Sequence, residues 1–136
     1  MEYPQEKARL LIQYWRTEET TFESIHRSLL VYSDGRTEGR EGYVIAEYEY
    51  IGKGRIGGKE LENIVSRLLD SMENIEACSG FGSPRVSISV YQKENEKQIE
   101  WAGNAPTREI GELAKRLDEL IKRTGLNIFA KYGDTD

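Results

Sequence analysis

Hydrophobic residues recur at the spacing of an amphipathic helix in two long stretches of the chain. The first stretch predicts a helix over 59–76, and its apolar positions are Leu61, Ile64, Val65, Leu68, Leu69 and Met72. The second predicts a helix that Asn104 caps and Gly125 ends, with Pro106 in its first turn. Its apolar positions are Ile110, Leu113, Ala114, Leu117, Leu120 and Ile121. Neither helix can bury its stripe alone, so both are expected to pack on a shared layer.

A shorter helical pattern lies near the start of the chain. Pro4 suits a first helical turn, and apolar residues follow at helical spacing at Ala8, Leu11, Ile12 and Trp15. This pattern predicts a helix over 4–16. The polar residues 17–21 end it, so residues 1–20 are expected to form a helical extension.

Alternation of apolar and polar positions predicts strands elsewhere in the chain. The three clearest segments are 43–51, 85–91 and 97–102. In the second of these, Val86, Ile88 and Val90 alternate with serine and tyrosine, which is typical of a strand with one polar face. A short charged turn over 93–96 joins the last two segments into a hairpin.

The segment 22–33 fits two periodicities. Thr20 with Glu23 would form a capping box and begin a helix. The turn sequence Ser33-Asp34-Gly35-Arg36 instead favours one arm of a hairpin. We predict a strand here.

These elements follow one another in the order α-β-β-α-β-β-α. Mostly antiparallel strands with helices on one face form a two-layer α+β sandwich, which is the fold class that we expect. A length of 136 residues suits a single domain spanning 1–136, with residues 133–136 as a frayed acidic tail.

Charge and composition narrow the function classes. The chain has 24 acidic and 19 basic residues and a net charge of -5, which argues against general nucleic-acid binding or an anionic membrane surface. Apolar runs are strand-sized and far shorter than a membrane span. Cys78 is the sole cysteine, so no intramolecular disulfide forms, and residues 1–6 lack the features of a signal peptide. We therefore expect a cytoplasmic protein.

A glycine-rich segment stands between the strand 43–51 and the helix 59–76. Gly52, Gly54 and Gly57 match the spacing of a dinucleotide-binding loop, with Arg55 and Lys59 as basic residues. The preceding strand is unlike that of a parallel sheet because it carries Glu47 and Glu49. A Walker A loop is excluded because Glu60 stands where Ser or Thr is needed. The segment is interpreted as a flexible basic connection and, secondarily, as a phosphate loop.

Catalytic and metal-binding residues are sparse. His26 is the sole histidine, and its spacing from Cys78 or from any serine does not indicate a nucleophile and base. One histidine and one cysteine leave only carboxylates for a metal, without the spacing of a calcium loop. We expect no enzymatic activity, no metal and no cofactor.

The predicted topology brings arginines to one edge of the sheet. The residues expected there are Arg36, Arg40, Phe81, Arg85, Asn104 and Arg108. Arginine forks, a loop aromatic and helix N–H groups together suit an anionic ligand that carries a ring. Solvated arginines on loops that share a direction are the competing interpretation.

The polar face of the strand 85–91 is a candidate interface. Ser87, Ser89 and Tyr91 would line the side of the sheet away from the helices, and such flat polar-aromatic faces commonly serve protein contacts. A protein partner or a second copy of the chain is expected there.

Together these features favour a small acidic non-enzymatic binding or inhibitor domain that acts through protein contacts. Toxin-neutralising and phage counter-defence proteins share this composition, which is an analogy only. The alternative is a domain that binds or sequesters a nucleotide-like phosphorylated small molecule at the arginine edge without turnover.

Overall fold

A computed structural model of the protein describes residues 8–45, 48–73, 75 and 82–125. In this part of the chain six antiparallel strands form one open sheet, and two helices pack on it, so the fold is α+β. The elements are β1 (Leu10–Glu19), β2 (Ser24–Tyr32), β3 (Arg36–Tyr43), β4 (Tyr48–Arg55), α1 (Gly58–Met72), β5 (Arg85–Tyr91), β6 (Glu96–Ala102) and α2 (Arg108–Arg123).

The sheet has the strand order β4-β3-β2-β1-β5-β6. The first four strands form a meander, and α1 then carries the chain across to β5 on the other side of β1. We call the end of the sheet with the β1–β2 and β3–β4 turns the apical end, and the end with the β2–β3 and β5–β6 turns the basal end. The register places Arg85 and Ala102 at the apical end.

Both helices bury the stripes that the sequence predicts. The buried residues are Leu61, Ile64, Leu68 and Met72 in α1, and Ile110, Leu113, Ala114, Leu117, Leu120 and Ile121 in α2. They pack on sheet residues that include Ile12, Leu29 and Ile88. Three polar contacts join the antiparallel helices, from Arg67 to Glu109, Arg116 to Asn63 and Arg123 to Glu60.

Helix boundaries differ slightly from the predicted ones. The side chain of Thr107, not that of Asn104, caps α2 by accepting a hydrogen bond from the Ile110 N–H at 3.1 Å. Gly125 follows the helix with φ of 82°, as expected of a residue that ends it. The helix predicted over 59–76 is α1, which ends at Met72. Residues 126–136, including the predicted tail, lie outside the described part.

The predicted N-terminal helix is wrong from residue 10 onward, because this segment forms β1 in the interior of the sheet. Ile12 and Tyr14 point into the core, whereas Trp15 lies on the other face and is 40% exposed. The apolar residues fit both periods, and pairing with β2 and β5 on its two sides favours the strand. Residues 1–7 are outside the described part.

The hairpin predicted around Ser33–Arg36 is confirmed. Residues 24–32 form β2, and the Gly35 N–H donates to the Tyr32 carbonyl at 2.9 Å with Gly35 at φ 89°. Thr20 and Glu23 do interact, but as the β1–β2 turn: the Glu23 N–H donates to the Thr20 hydroxyl at 2.9 Å.

The strand predicted over 43–51 is wrong in its bounds. β3 already begins at Arg36, and the chain turns after Tyr43 before β4. The alternating tyrosines belong to two strands, since Tyr43 and Tyr48 are cross-strand partners. β5 has the predicted bounds, and β6 begins one residue earlier than predicted. No helix in the described part has the length and apolar character needed to cross a membrane.

Candidate binding surfaces

The face of the sheet opposite α1 and α2, which we call the open face, carries no described helix. The register arranges its side chains in rows that cross several strands. One such row, on the apical side of the middle of the sheet, is formed by Ile51, Arg40, Ser28 and Trp15 on four neighbouring strands.

The large apolar side chains that are exposed in the described part all lie on the apical half of the open face or in the two apical turns. We call them the apical surface: Trp15, Phe22, Val44, Ile45 and Ile51, with exposed fractions from 40% to 84%. Trp15 and Ile51 come from the row of strand residues, and the other three come from the turns. Isolated exposed apolar side chains are ordinary on protein surfaces, whereas several in one half of a sheet face mark a candidate contact surface.

The two apical turns are held together by hydrogen bonds. The Val44 N–H donates to the Ser24 carbonyl at 3.1 Å, and the Ile45 N–H donates to the Glu23 carboxylate at 2.6 Å. The same carboxylate oxygen accepts from the Ser24 N–H at 3.1 Å. The backbone that presents Phe22, Val44 and Ile45 is therefore fixed before any partner binds.

A cavity of about 380 Å³ opens on the apical surface. Its lining residues are Trp15, His26, Ser28, Arg40, Gly42, Tyr43, Val44 and Glu49. The rings of Trp15 and His26 stack with centroids 6.0 Å apart, and His26 Nδ1 lies 3.0 Å from the Thr17 hydroxyl. These contacts give the histidine a structural place in the cavity wall. Cys78, the other candidate for nucleophilic chemistry, lies outside the described part.

The structure does not bring the predicted arginine edge together. Arg85, Asn104 and Arg108 lie at the apical end, but Arg36 lies at the basal end because β3 begins there. Arg40 stands between them in the middle of β3 and contacts Glu49 at 3.5 Å.

Arg108, another member of that predicted edge, has a partner of its own. Arg108 is 94% exposed and pairs with Glu112 on its own helix. Phe81 lies outside the described part. The edge as a whole therefore does not form one ligand site.

The predicted interface on β5 lies on the open face, where its polar groups bind one another. Tyr91 donates its hydroxyl to Gln13 at 2.9 Å, and Ser87 accepts from Gln98 at 3.2 Å. Ser89 is almost fully buried. Ser87 pairs with Trp15 of the apical surface, whereas Tyr91 lies at the basal end of β5.

The predicted glycine loop is wrong for Gly52 and Gly54, because both lie within β4. A Cβ atom on Gly52 would lie 2.5 Å from the Thr124 carbonyl oxygen. On Gly39, the partner of Gly52 in β3, it would lie 2.7 Å from the Thr124 hydroxyl. These glycines admit the end of α2 onto the sheet.

The rest of that segment starts α1. Gly57 occupies the N-cap position without a side-chain hydrogen bond, and Lys59 is exposed in the first turn. Arg55 ends β4 on the open face, directly across from Arg36.

A second cavity, of about 340 Å³, lies at the basal end between β3 and β4. We call it the basal cavity, and its lining residues are Tyr32, Arg36, Thr37, Glu38, Lys53, Gly54 and Arg55. Asp34 beside it binds Arg36 through the backbone N–H at 3.0 Å and the guanidinium at 2.7 Å. That backbone N–H, followed by the hydrogen bond from the guanidinium and by the charges of Arg36 and Arg55, lowers the pKa of Asp34.

A polar network on the helix-facing side of β1 and β2 was not foreseen from the sequence. Asp118 of α2 accepts from the Tyr14 hydroxyl at 2.8 Å and from Arg16 at 2.9 Å. The network continues through Glu18 and Arg27 to Glu41, which is 4% exposed. The available signal was a single arginine in phase with the buried apolar residues of each strand, Arg16 after Tyr14 in β1 and Arg27 before Leu29 in β2. Partners on all of these charges make the network structural.

Within the described ranges no three His, Cys, Asp or Glu side chains converge as a metal site would require. Comparison of the chain with protein-family models and with curated proteins gives no match.

Proposed function

We propose that this protein is a small acidic, non-enzymatic binding domain of inhibitor type that docks its apical surface on a protein partner. The observation that carries the proposal is the gathering of Trp15, Phe22, Val44, Ile45 and Ile51 at one end of the sheet. Apolar patches of this kind on folded chains mark contact sites. Tryptophan and arginine, here Trp15 and Arg40, are also the residues that most often dominate binding energy at interfaces.

The open face has dimensions suited to a protein contact. Six strands spaced about 4.8 Å apart span roughly 24 Å, and seven to eight residues at about 3.3 Å each span roughly 25 Å. The whole face therefore covers about 600 Å², of which the apical half is about 300 Å². The two apical turns add to this half, and a standard interface takes ~800 Å² from each partner.

The charge of the chain favours a foreign partner. A net charge of -5 opposes association of identical copies and attracts a protein with a basic surface. We therefore infer a partner whose contact surface has an apolar patch surrounded by basic residues. Toxin-neutralising and phage counter-defence proteins share the small size and acidic composition, and the analogy rests on composition alone.

The proposal is tested by comparing Ile45→Asp with Asn95→Asp. Both changes place one new negative charge in a hairpin turn, at the apical and the basal end respectively. Each tagged protein is expressed in the natural host, the retained proteins are quantified, and the binding of any candidate is measured with purified components.

We expect a partner that binds the wild-type protein and Asn95→Asp with equal affinity. Its affinity for Ile45→Asp should be at least tenfold lower, because burying an unpaired charge costs more than about 1.4 kcal/mol. Equal loss or equal retention in both variants would contradict the proposal. Analytical ultracentrifugation of the purified protein checks the foreign-partner part: a dimer that Ile45→Asp dissociates would replace the foreign partner by a second copy.

A further inference from the structure

The basal cavity has a charge arrangement that the fold alone does not balance. Arg36 and Arg55 are direct cross-strand partners on β3 and β4, and both are exposed. Like charges in this position repel each other across about 5 Å and destabilise a sheet. Lys53 lies two residues before Arg55 on the same face of β4, so a third cation borders the same space.

The acidic residues nearby neutralise only part of this charge. Asp34 binds Arg36, and Glu38 lies 3.7 Å from Arg40. In the described part of the chain Lys53 and Arg55 form neither a salt bridge nor a side-chain hydrogen bond. The charge of Arg55 also acts on Asp34, and Glu38 is the cross-strand partner of Lys53. Three cations at the cavity thus face two carboxylates, in a protein whose net charge is negative.

The geometry of the cavity suits a small anion more than a flat partner. Its volume of about 340 Å³ is that of a small-molecule site. Arg36 lies over the Tyr32 ring at 5.1 Å from the centroid, which holds the guanidinium at the wall of the cavity. A guanidinium fork binds two oxygens of a phosphate at once, and a lysine adds a point charge.

We propose that the basal cavity binds the phosphate group of a small phosphorylated molecule, with Arg36, Arg55 and Lys53 as its ligands. A phosphate between the two arginines would turn their repulsion into two charge-assisted contacts. This site is separate from the apical surface and lies at the opposite end of the sheet, so it adds a function to the protein contact and does not depend on it.

The site is tested by thermal unfolding and titration calorimetry of the full chain with inorganic phosphate, adenosine 5′-monophosphate and adenosine. Sodium chloride keeps the ionic strength constant, because exposed charges are screened by salt. Saturable binding of both phosphate compounds with a rise in Tm, and none with adenosine, is expected. Tighter binding of the nucleotide than of phosphate would show that the ring also contributes, and equal binding would assign the site to the phosphate group alone.

Substitutions show whether phosphate binds in the basal cavity. Arg55→Gln should weaken phosphate binding about tenfold or more, since it removes a charge-assisted contact. Arg55→Lys should weaken it less, because the charge remains and the fork is lost. Lys93→Gln removes one charge from the exposed β5–β6 turn and should leave binding unchanged.

Two results would overturn the proposal. One is a Tm rise with phosphate no larger than with chloride at the same ionic strength. The other is equal affinity in Arg55→Gln and Lys93→Gln.

Discussion

At the scale of single residues, Gly52 is the position with the least room for change. A Cβ atom there would meet the carbonyl oxygen of Thr124 at 2.5 Å and its carbonyl carbon at 3.0 Å, and neither is the end of a flexible side chain. Gly52→Ala should therefore destabilise the fold by about 1–3 kcal/mol through overpacking. Urea unfolding measures this change.

Gly58→Ala is the matched control for that substitution. Nothing lies within 4 Å of a Cβ atom at Gly58, in the first turn of α1. Alanine should raise stability there by about 0.4–1 kcal/mol because it restricts the unfolded chain. A Gly52→Ala protein as stable as Gly58→Ala would contradict the packing of α2 on β4.

Tyr14 makes the free energy of unfolding depend on pH in the alkaline range. Burial, followed by the charge of Asp118 and the hydrogen bond to it, raises the pKa of the Tyr14 hydroxyl far above its ordinary value. The unfolded chain therefore loses this proton first, as pH rises past about 10. The contribution of Tyr14 is fully present below that pH and is lost as pH rises further.

Tyr14→Phe removes this alkaline loss. It should also cost about 1 kcal/mol near neutral pH, because the hydrogen bond to Asp118 is gone. Tyr91→Phe, on the open face, serves as control. Unfolding free energies measured from pH 7 to 11 should show a shallower alkaline decline for Tyr14→Phe only, and parallel curves for all three proteins would refute the role of Tyr14.

At the scale of helices and strands, the two buried helical stripes provide half of the buried core residues. Leu68 of α1 and Leu117 of α2 are both fully buried. Leu68→Ala and Leu117→Ala should each cost about 2–5 kcal/mol, whereas Glu62→Ala on the exposed side of α1 should change stability by less than about 0.5 kcal/mol. Chemical denaturation gives these values, and near-neutral effects at both leucines would disprove the shared core.

The spacing of apolar residues was sufficient to predict some helices and strands and was ambiguous for others. The apolar residues of α1 and α2 fit only the helical period, and those of β5 fit only the strand period. The sequence therefore predicts these three elements well. The apolar residues near Ile12 fit both a helix and a strand, and only pairing with β2 and β5 decides between them. The glycines of β4 resembled a phosphate loop because the close approach of Thr124 depends on residues about seventy positions away.

The candidate surfaces were harder to predict from the sequence than the helices and strands. Arg36 was assigned to one predicted site and Arg55 to another, yet the register makes them partners. That pairing depends on where β3 begins, and the predicted strand started seven residues too late. Trp15 and Ile12 were assigned to one helical face, whereas the strand places them on opposite faces and exposes Trp15.

At the scale of the whole molecule, the two ends of the open sheet differ in chemistry. The apical end carries exposed apolar residues, and the basal end of β3 and β4 carries three cations beside two carboxylates. The helices cover the opposite face, so both ends of the open face are free of described structure. This division allows a protein contact at one end and an anion at the other without competition for the same residues.

The most direct test of the central claim is site-specific photo-crosslinking in the cells that make the protein. A photoreactive amino acid replaces Ile45 in the apical turn or Asn95 in the basal turn, both of which are exposed. We predict a discrete crosslinked product from position 45 whose mass exceeds that of one chain by a foreign protein, and no such product from position 95. The absence of a product at position 45, or the same product from both positions, would contradict the proposal that the apical surface is the contact site.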